Sequence, residues 1–290
     1  MTFFKKPALM LAFATVGLPG IAAADKNPWA PKITLETGYL NPSGIEGEGG
    51  EVSDRYYDAL LENQFAYLGY TYWSLDWHDI DQLPFGNGKD KPVKGLRGAR
   101  IGGKFNHRIN SKTLFLSSLG VSSKYEEQTD DSYSVNLRAL VSYQLKNDVS
   151  LLGGLIYNYH PVRSRLYPAI GVAYRARSWD GLSAVLGFPR AYVAYGFAEN
   201  WNISTGASYR QFMAKLADDS PIEEKGYVEL QTWKADVMLS YQASKNWRLD
   251  VFGQYSADYR FSFYNRHGNR QNQYQLDPSW GSGMKLAYQF

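Results

Sequence analysis

Four histidines, one acidic tract and one glycine-rich run are the residues with which this chain could do chemistry. A hydrolase built on a strand needs His and Ser two residues apart, because alternation then sets the base beside the nucleophile on one face. The histidines read His78-Asp79-Ile80, His107-Arg108-Ile109, His160-Pro161-Val162 and His267-Gly268-Asn269, and none has that spacing. A protease that opposes D-x-D to D-x-H needs the two pairs on facing elements. Here Asp76-Trp77-His78 and Asp79-Ile80-Asp81 are contiguous, which reads as a solvated acidic loop, with a cation held by Asp76, Asp79 and Asp81 as the lesser alternative. Gly44-Ile45-Glu46-Gly47-Glu48-Gly49-Gly50 lacks the Lys-Ser/Thr ending of a phosphate loop, and its glutamates repel phosphate. The chain is expected to be no enzyme, to bind no metal and to need no cofactor.

The other chemical constellation is charge at alternate positions. From Trp247 onward the odd residues Trp247, Leu249, Val251, Gly253, Tyr255, Ala257, Tyr259 and Phe261 form an apolar face, opposed by a charged even face. The same pattern runs from Trp233 to Gln242 and from Tyr133 to Leu145. Extending it along the chain projects Glu36, Asp76, Arg100, Lys104, Arg138, Arg175, Arg190, Arg210, Lys234, Asp236, Arg248, Asp250, Asp258, Arg260 and Lys285 to one side, with Tyr70, Tyr72, Tyr167, Tyr192 and Phe252 among them. Bases outnumber acids in that set. Two compatible readings follow: an ion-pair network that stiffens a wall, and a polar lumen whose potential favours anionic or aromatic solutes.

The elements that place these residues follow from composition and spacing. In 290 residues, 44% are apolar and 16% aromatic, with 23 Tyr and 27 Gly, so no bundle of membrane helices is encoded. A net charge of +3 gives no basic footprint for nucleic acid. The absence of Cys excludes disulfide scaffolds, thiolate metal sites and cysteine nucleophiles. Residues 1–24 have the plan of a secretory signal peptide, with Lys5 and Lys6, an apolar run and Ala22-Ala23-Ala24 before Asp25. Residues 25–290 then form one exported domain.

That domain reads as all-β, a transmembrane antiparallel β-barrel. Its alternating segments are too long for a soluble sandwich, and their apolar faces begin and end in Trp, Tyr or Phe, as interfacial girdles require. Strands are expected at 32–41, 51–61, 65–78, 96–108, 112–125, 133–145, 149–160, 166–176, 182–188, 190–197, 201–213, 228–242, 247–261 and 279–290. Fourteen is the count, with twelve the alternative because 51–61 alternates poorly and the pair around Phe188-Pro189-Arg190 is short. Pro189 removes a ladder donor and belongs at a rim or bulge. Short turns at 146–148, 199–200 and 244–246 are assigned to the periplasmic rim. Longer polar connections at 44–50, 79–94, 126–132, 215–226 and 262–276 are assigned outside, where Arg266 and Arg270 reach lipopolysaccharide phosphates more readily than Arg97 and Arg100.

At the C-terminus Trp280, Met284, Leu286, Tyr288 and Phe290 share one face. This resembles the assembly signal of bacterial outer-membrane proteins, which implies the barrel-assembly machinery as a partner. Gly187-Phe188-Pro189-Arg190-Ala191-Tyr192-Val193-Ala194-Tyr195, followed by Glu199-Asn200-Trp201-Asn202-Ile203, resembles a segment of an uncharacterised family of proteobacterial outer-membrane barrels. The mature chain is also similar in plan to barrels encoded with phenol meta-degradation clusters. The resemblance implies a Gram-negative outer-membrane barrel, with a porin-like channel as the expected role and a non-conducting structural or adhesive barrel as the alternative. Its partners are then membrane lipid, lipopolysaccharide and small solutes, with no nucleic acid.

Overall fold

The computed structural model describes residues 29–175 and 181–290; the export segment assigned to 1–24 lies outside the described residues. Fifteen strands follow in order: β1 (Lys32–Gly44), β2 (Glu51–Glu62), β3 (Ala66–His78), β4 (Gly95–Arg108), β5 (Thr113–Tyr125), β6 (Tyr133–Gln144), β7 (Val149–Tyr159), β8 (Arg165–Arg175), β9 (Leu182–Phe188), β10 (Arg190–Ala198), β11 (Trp201–Lys215), β12 (Tyr227–Gln242), β13 (Trp247–Tyr264), β14 (Arg270–Leu276) and β15 (Ser279–Gln289). Neighbours pair antiparallel from β1 to β13, β13 pairs with β15, and β15 with β1. Fourteen strands therefore close the wall. The extra strand, β14, pairs with the end of β13 above the ring. Residues 262–276, expected to be a loop, are thus a hairpin extension of the wall. Its polar run Arg270-Gln271-Asn272-Gln273 gives no hydropathy signal for a strand.

Alternation builds the belt. Ile101, Leu155, Leu166, Ile170, Leu186 and Val237 are among the most exposed apolar side chains, all facing out from the wall. In water such a surface would aggregate; facing lipid it is the required solvent match. Aromatic pairs bound the belt at both ends, Trp201–Tyr241 at 4.6 Å on one and Tyr209–Trp233 at 5.4 Å on the other. The eight residue steps from Trp201 to Tyr209 span roughly 26 Å along a strand, or about 20 Å after barrel tilt, close to the apolar band of an outer membrane. At one end the connections are tight: Asn63 Oδ1 accepts from the Phe65 and Ala66 amides, and Asn110 Oδ1 from those of Lys112 and Thr113, side-chain turns that explain asparagine at both sites. The long connections gather at the other end.

Two faces differ from the alternation expected of them. In β13 an extra residue, Asp258, sits in the left-handed region at φ 52°. Trp233 of β12 opposes Ala257, yet Gln231 opposes Arg260. The bulge reverses the parity beyond it. Tyr259 and Phe261 therefore turn into the barrel instead of toward lipid, while Arg260 turns out on the face of Gln231 and bonds Asp258 at 2.6 and 2.7 Å. Asp258 and Arg260 do not line the interior. In β3 both faces carry aromatics, so the period is legible but its sign is not. Trp73, Leu75 and Trp77 face in; Tyr70, Tyr72 and Asp76 face out, Asp76 pairing with Lys91 at 2.9 Å.

Candidate functional site: the charged interior and its cap

The interior wall divides into two electrostatic halves. Around β15, β1, β2 and β4, cross-strand register brings opposite charges together. Glu36 and Lys285 are directly opposed and bond at 2.7 Å, and Tyr56 donates to Glu36 at 2.8 Å. Arg100 grips Asp58 with two bonds of 2.8 Å. Lys104 meets Glu62 at 2.6 Å, Lys32 approaches the same carboxylate at 3.6 Å, and Arg248 bonds Asp250 at 2.6 Å. Lys234 lies between the rings of Tyr56 and Phe252, 5.6 and 5.0 Å from their centroids, a cation–π contact on both sides. Gly38 admits this layer, because a Cβ there would overlap the Tyr56 ring.

Asp58 and Glu62, together with Asp54, which accepts from the Tyr259 hydroxyl at 3.3 Å, escaped the sequence reading. β2 carries Tyr56-Tyr57 and Leu60-Leu61, apolar on both faces, so its inner side was not separable by hydropathy. The even spacing of 54, 58 and 62 was the available signal.

The second half runs from β5 to β11. Among the described residues its inward positions carry Lys124, Arg138, Arg165, Arg175, Arg190 and Arg210, and neither Asp nor Glu apart from the turns; Arg165 reaches Glu229 of β12 at 2.6 Å. Serines and asparagines such as Ser122, Asn136, Asn202 and Ser208 occupy much of the remainder. Arg190 stacks over Tyr192 at 5.8 Å and Lys124 over Phe212 at 5.2 Å. The Arg138 Nε is buried without a hydrogen-bond partner, so its guanidinium edge is a donor held ready in a low-dielectric wall. Asp236 of β12, in register with Gly206 of β11, borders this half beside Arg190. Alternation thus places Glu36, Arg100, Lys104, Arg138, Arg175, Arg190, Arg210, Lys234, Asp236, Arg248, Asp250 and Lys285 on the inner face; it missed Lys124.

The long-loop end of the barrel is filled, a feature with no counterpart in the sequence reading. Connection 79–94 dips inward, so that Phe85 meets Trp77 edge-on at 5.5 Å and lies 5.0 Å from Phe263 and 4.9 Å from Tyr274. Trp77 Nε1 donates to the Val93 carbonyl at 2.8 Å and Tyr274 donates to the Pro84 carbonyl at 3.0 Å. Val93, Leu96, Leu216, Val228 and Phe261 are fully buried in the same cluster. Glu126 ties three connections together: its carboxylate accepts the amides of Lys94 at 2.7 Å and Ala217 at 3.0 Å, and its own amide donates to the Lys215 carbonyl at 2.9 Å. Burial pushes its carboxyl above the ordinary range against the pull of those amides. Lys215 adds ion pairs to Asp130 and Asp218 at 2.7 and 2.8 Å. The apolar side chains Ile80, Leu83, Phe85 and Val93 in an otherwise polar loop were the legible trace of this cap.

Set against known proteins, the chain matches no family model and no curated protein. Among solved structures it is similar to the NanC porin, at 6% identity and a TM-score of 0.42 over 89% of this chain and 100% of that one. It is similar to an outer membrane channel from Pseudomonas putida F1, at 8% identity and 0.43 over 93% and 100%. It is also similar to the toluene transporter TodX of P. putida, at 9% identity and 0.40 over 91% of each.

Proposed function

We propose that the protein is an outer-membrane barrel that passes small organic solutes and favours anionic ones, its long connections facing outside. The observation that carries this reading is the half-wall from β5 to β11, whose described strands carry Arg138, Arg210 and further bases and no Asp or Glu of their own. A confined, partly desolvated bore lined this way raises local anion concentration, while the opposite half, already ion-paired, is electrostatically spent. Inward Tyr192 and Phe252 are buried beneath Arg190 and Lys234 and fix those cations along the wall. No catalytic step is assigned. Exposed Arg266 and Arg270 at the tip of the β13–β14 hairpin suit lipopolysaccharide phosphates, and the outward row Trp280, Met284, Leu286, Tyr288 and Phe290 suits the barrel-assembly machinery. A second reading, a barrel closed at rest that acts through its loops, is favoured by the packed cap.

Uptake into proteoliposomes separates the two. Benzoate is expected to enter about fivefold faster than benzylamine, a compound of similar size and opposite charge. Equal rates would remove the role of the basic half-wall, and no uptake of either would leave the closed barrel.

A further inference from the structure

The wall is incomplete on one side. β9 has seven residues and β10 nine, between an eleven-residue β8 and a fifteen-residue β11. The β8–β9 ladder begins only at Ile170 opposite Phe188, and the β10–β11 ladder ends at Arg190 opposite Ser208. Toward the long-loop end from there, residues 165–169 of β8 and 210–214 of β11 face one another with no strand between them among the described residues. Just above the hairpin, the Tyr209 amide reaches the Pro189 carbonyl at 3.0 Å. Unpaired backbone there, at and beyond the outer girdle, is costly unless protein or water satisfies it.

The β7–β8 connection roofs the gap, Val162 packing with Met213 and Tyr264 and Arg163 donating to the Tyr264 hydroxyl at 3.1 Å, and beneath that roof side chains span it. Tyr167 starts on the interior face of β8 and donates its hydroxyl to Gln211 Oε1, Gln211 donates to Glu229, and Arg165 bonds Glu229 at 2.6 Å. The Tyr167 ring lies 6.3 Å from Phe188 and 6.2 Å from Tyr209. Tyr209 in turn lies 5.4 Å from Trp233 on the outer surface. A continuous aromatic frame therefore leads from the interior to the outer girdle while the cap fills the axial route.

We propose that this gap is a side portal, closed by Tyr167, through which a single-ring aromatic acid passes between the barrel interior and the outer girdle of the membrane. A side-chain closure opens by rotamer change, whereas a hydrogen-bonded ladder does not. The portal opens at the level of Tyr209 and Trp233, where the ring of such a solute enters the apolar band while its carboxylate stays at headgroup depth. Arg190, at the turn that floors the gap, supplies a cationic group on the inner side. The portal rests on the solute-passage reading above, and its test keeps the two apart.

The chain has no Cys, so cysteine pairs can be stapled cleanly. Tyr167→Cys with Gln211→Cys, joined by a short bis-methanethiosulfonate linker, closes the portal. Lys94→Cys with Glu127→Cys, replacing an exposed ion pair of 3.2 Å, staples the cap instead. Heat-modifiable mobility on a gel verifies folding, and benzoate uptake into proteoliposomes is read before and after dithiothreitol. The portal staple is expected to cut uptake at least about tenfold, reversibly, and the cap staple to leave it unchanged; Tyr167→Ala, which removes the bar without a linker, is expected to raise it. Loss on stapling the cap but not the gap would overturn the portal in favour of an axial path. Indifference to both staples, or no gain in Tyr167→Ala, would also overturn it. An unstapled protein that passes no benzoate would refute solute passage itself, and the portal with it.

Discussion

Excising residues 83–92 and joining Gln82 to Val93 through two glycines is expected to turn a silent barrel into an open channel in planar bilayers. The segment contributes Phe85, buried against Trp77, Phe263 and Tyr274, and the Pro84 carbonyl that receives the Tyr274 hydroxyl. Burial of one such aromatic ring is worth about 2–3 kcal/mol, a loss borne by the cap alone, because the excised residues form no part of the wall ladders. The barrel should therefore keep its heat-modifiable mobility while stable conductance steps appear that the capped protein is expected to lack. Continued silence would mean that Phe261, Phe263 and Leu216, which come from or adjoin the wall strands, seal the end without the loop.

Deleting Phe290 is expected to lower the amount of folded protein in the outer membrane by about tenfold or more, far beyond its structural contribution. In the folded barrel its amide donates to the Pro31 carbonyl at 3.0 Å and its ring meets Tyr288 edge-on at 4.8 Å, with more than half of the residue exposed. One backbone bond is worth about 1 kcal/mol net, too little to unfold a closed barrel. A large loss, with unfolded chain that heat no longer shifts on a gel, would place the effect in recognition during assembly. Normal levels of heat-modifiable protein would show that the terminal aromatic is only the end of a strand.

The barrel was legible because lipid on one side and polar side chains on the other impose a period of two, and because both girdles mark strand ends with Trp or Tyr. Strand number followed from counting such runs, and the short β9–β10 pair could be placed from Pro189. Three things were hidden, each for a physical reason. A bulge inserts one residue without a composition signal; Asp258 looks like any polar residue in an alternating run, yet it exchanges the faces of Tyr259, Arg260 and Phe261. Strands with aromatics on both faces, β2 and β3, have no sign in their alternation, which concealed Asp54, Asp58 and Glu62 and misassigned Tyr70, Tyr72 and Asp76. The cap is a tertiary assembly of single apolar residues from separate connections, and no local pattern announces that Ile45, Phe85, Leu216 and Leu276 meet.

The segregation of charge across the lumen is the central claim, and the reversal potential of the loop-shortened barrel tests it most directly. Under a potassium chloride gradient the excised variant should prefer chloride, weakly at high salt because the Debye length shortens. Arg138→Gln with Arg210→Gln in that background should move the reversal potential toward potassium without loss of folded protein, since neither residue faces lipid. A channel that prefers potassium from the outset, or one whose reversal potential is unmoved by the double substitution, would contradict a solute path along β5–β11.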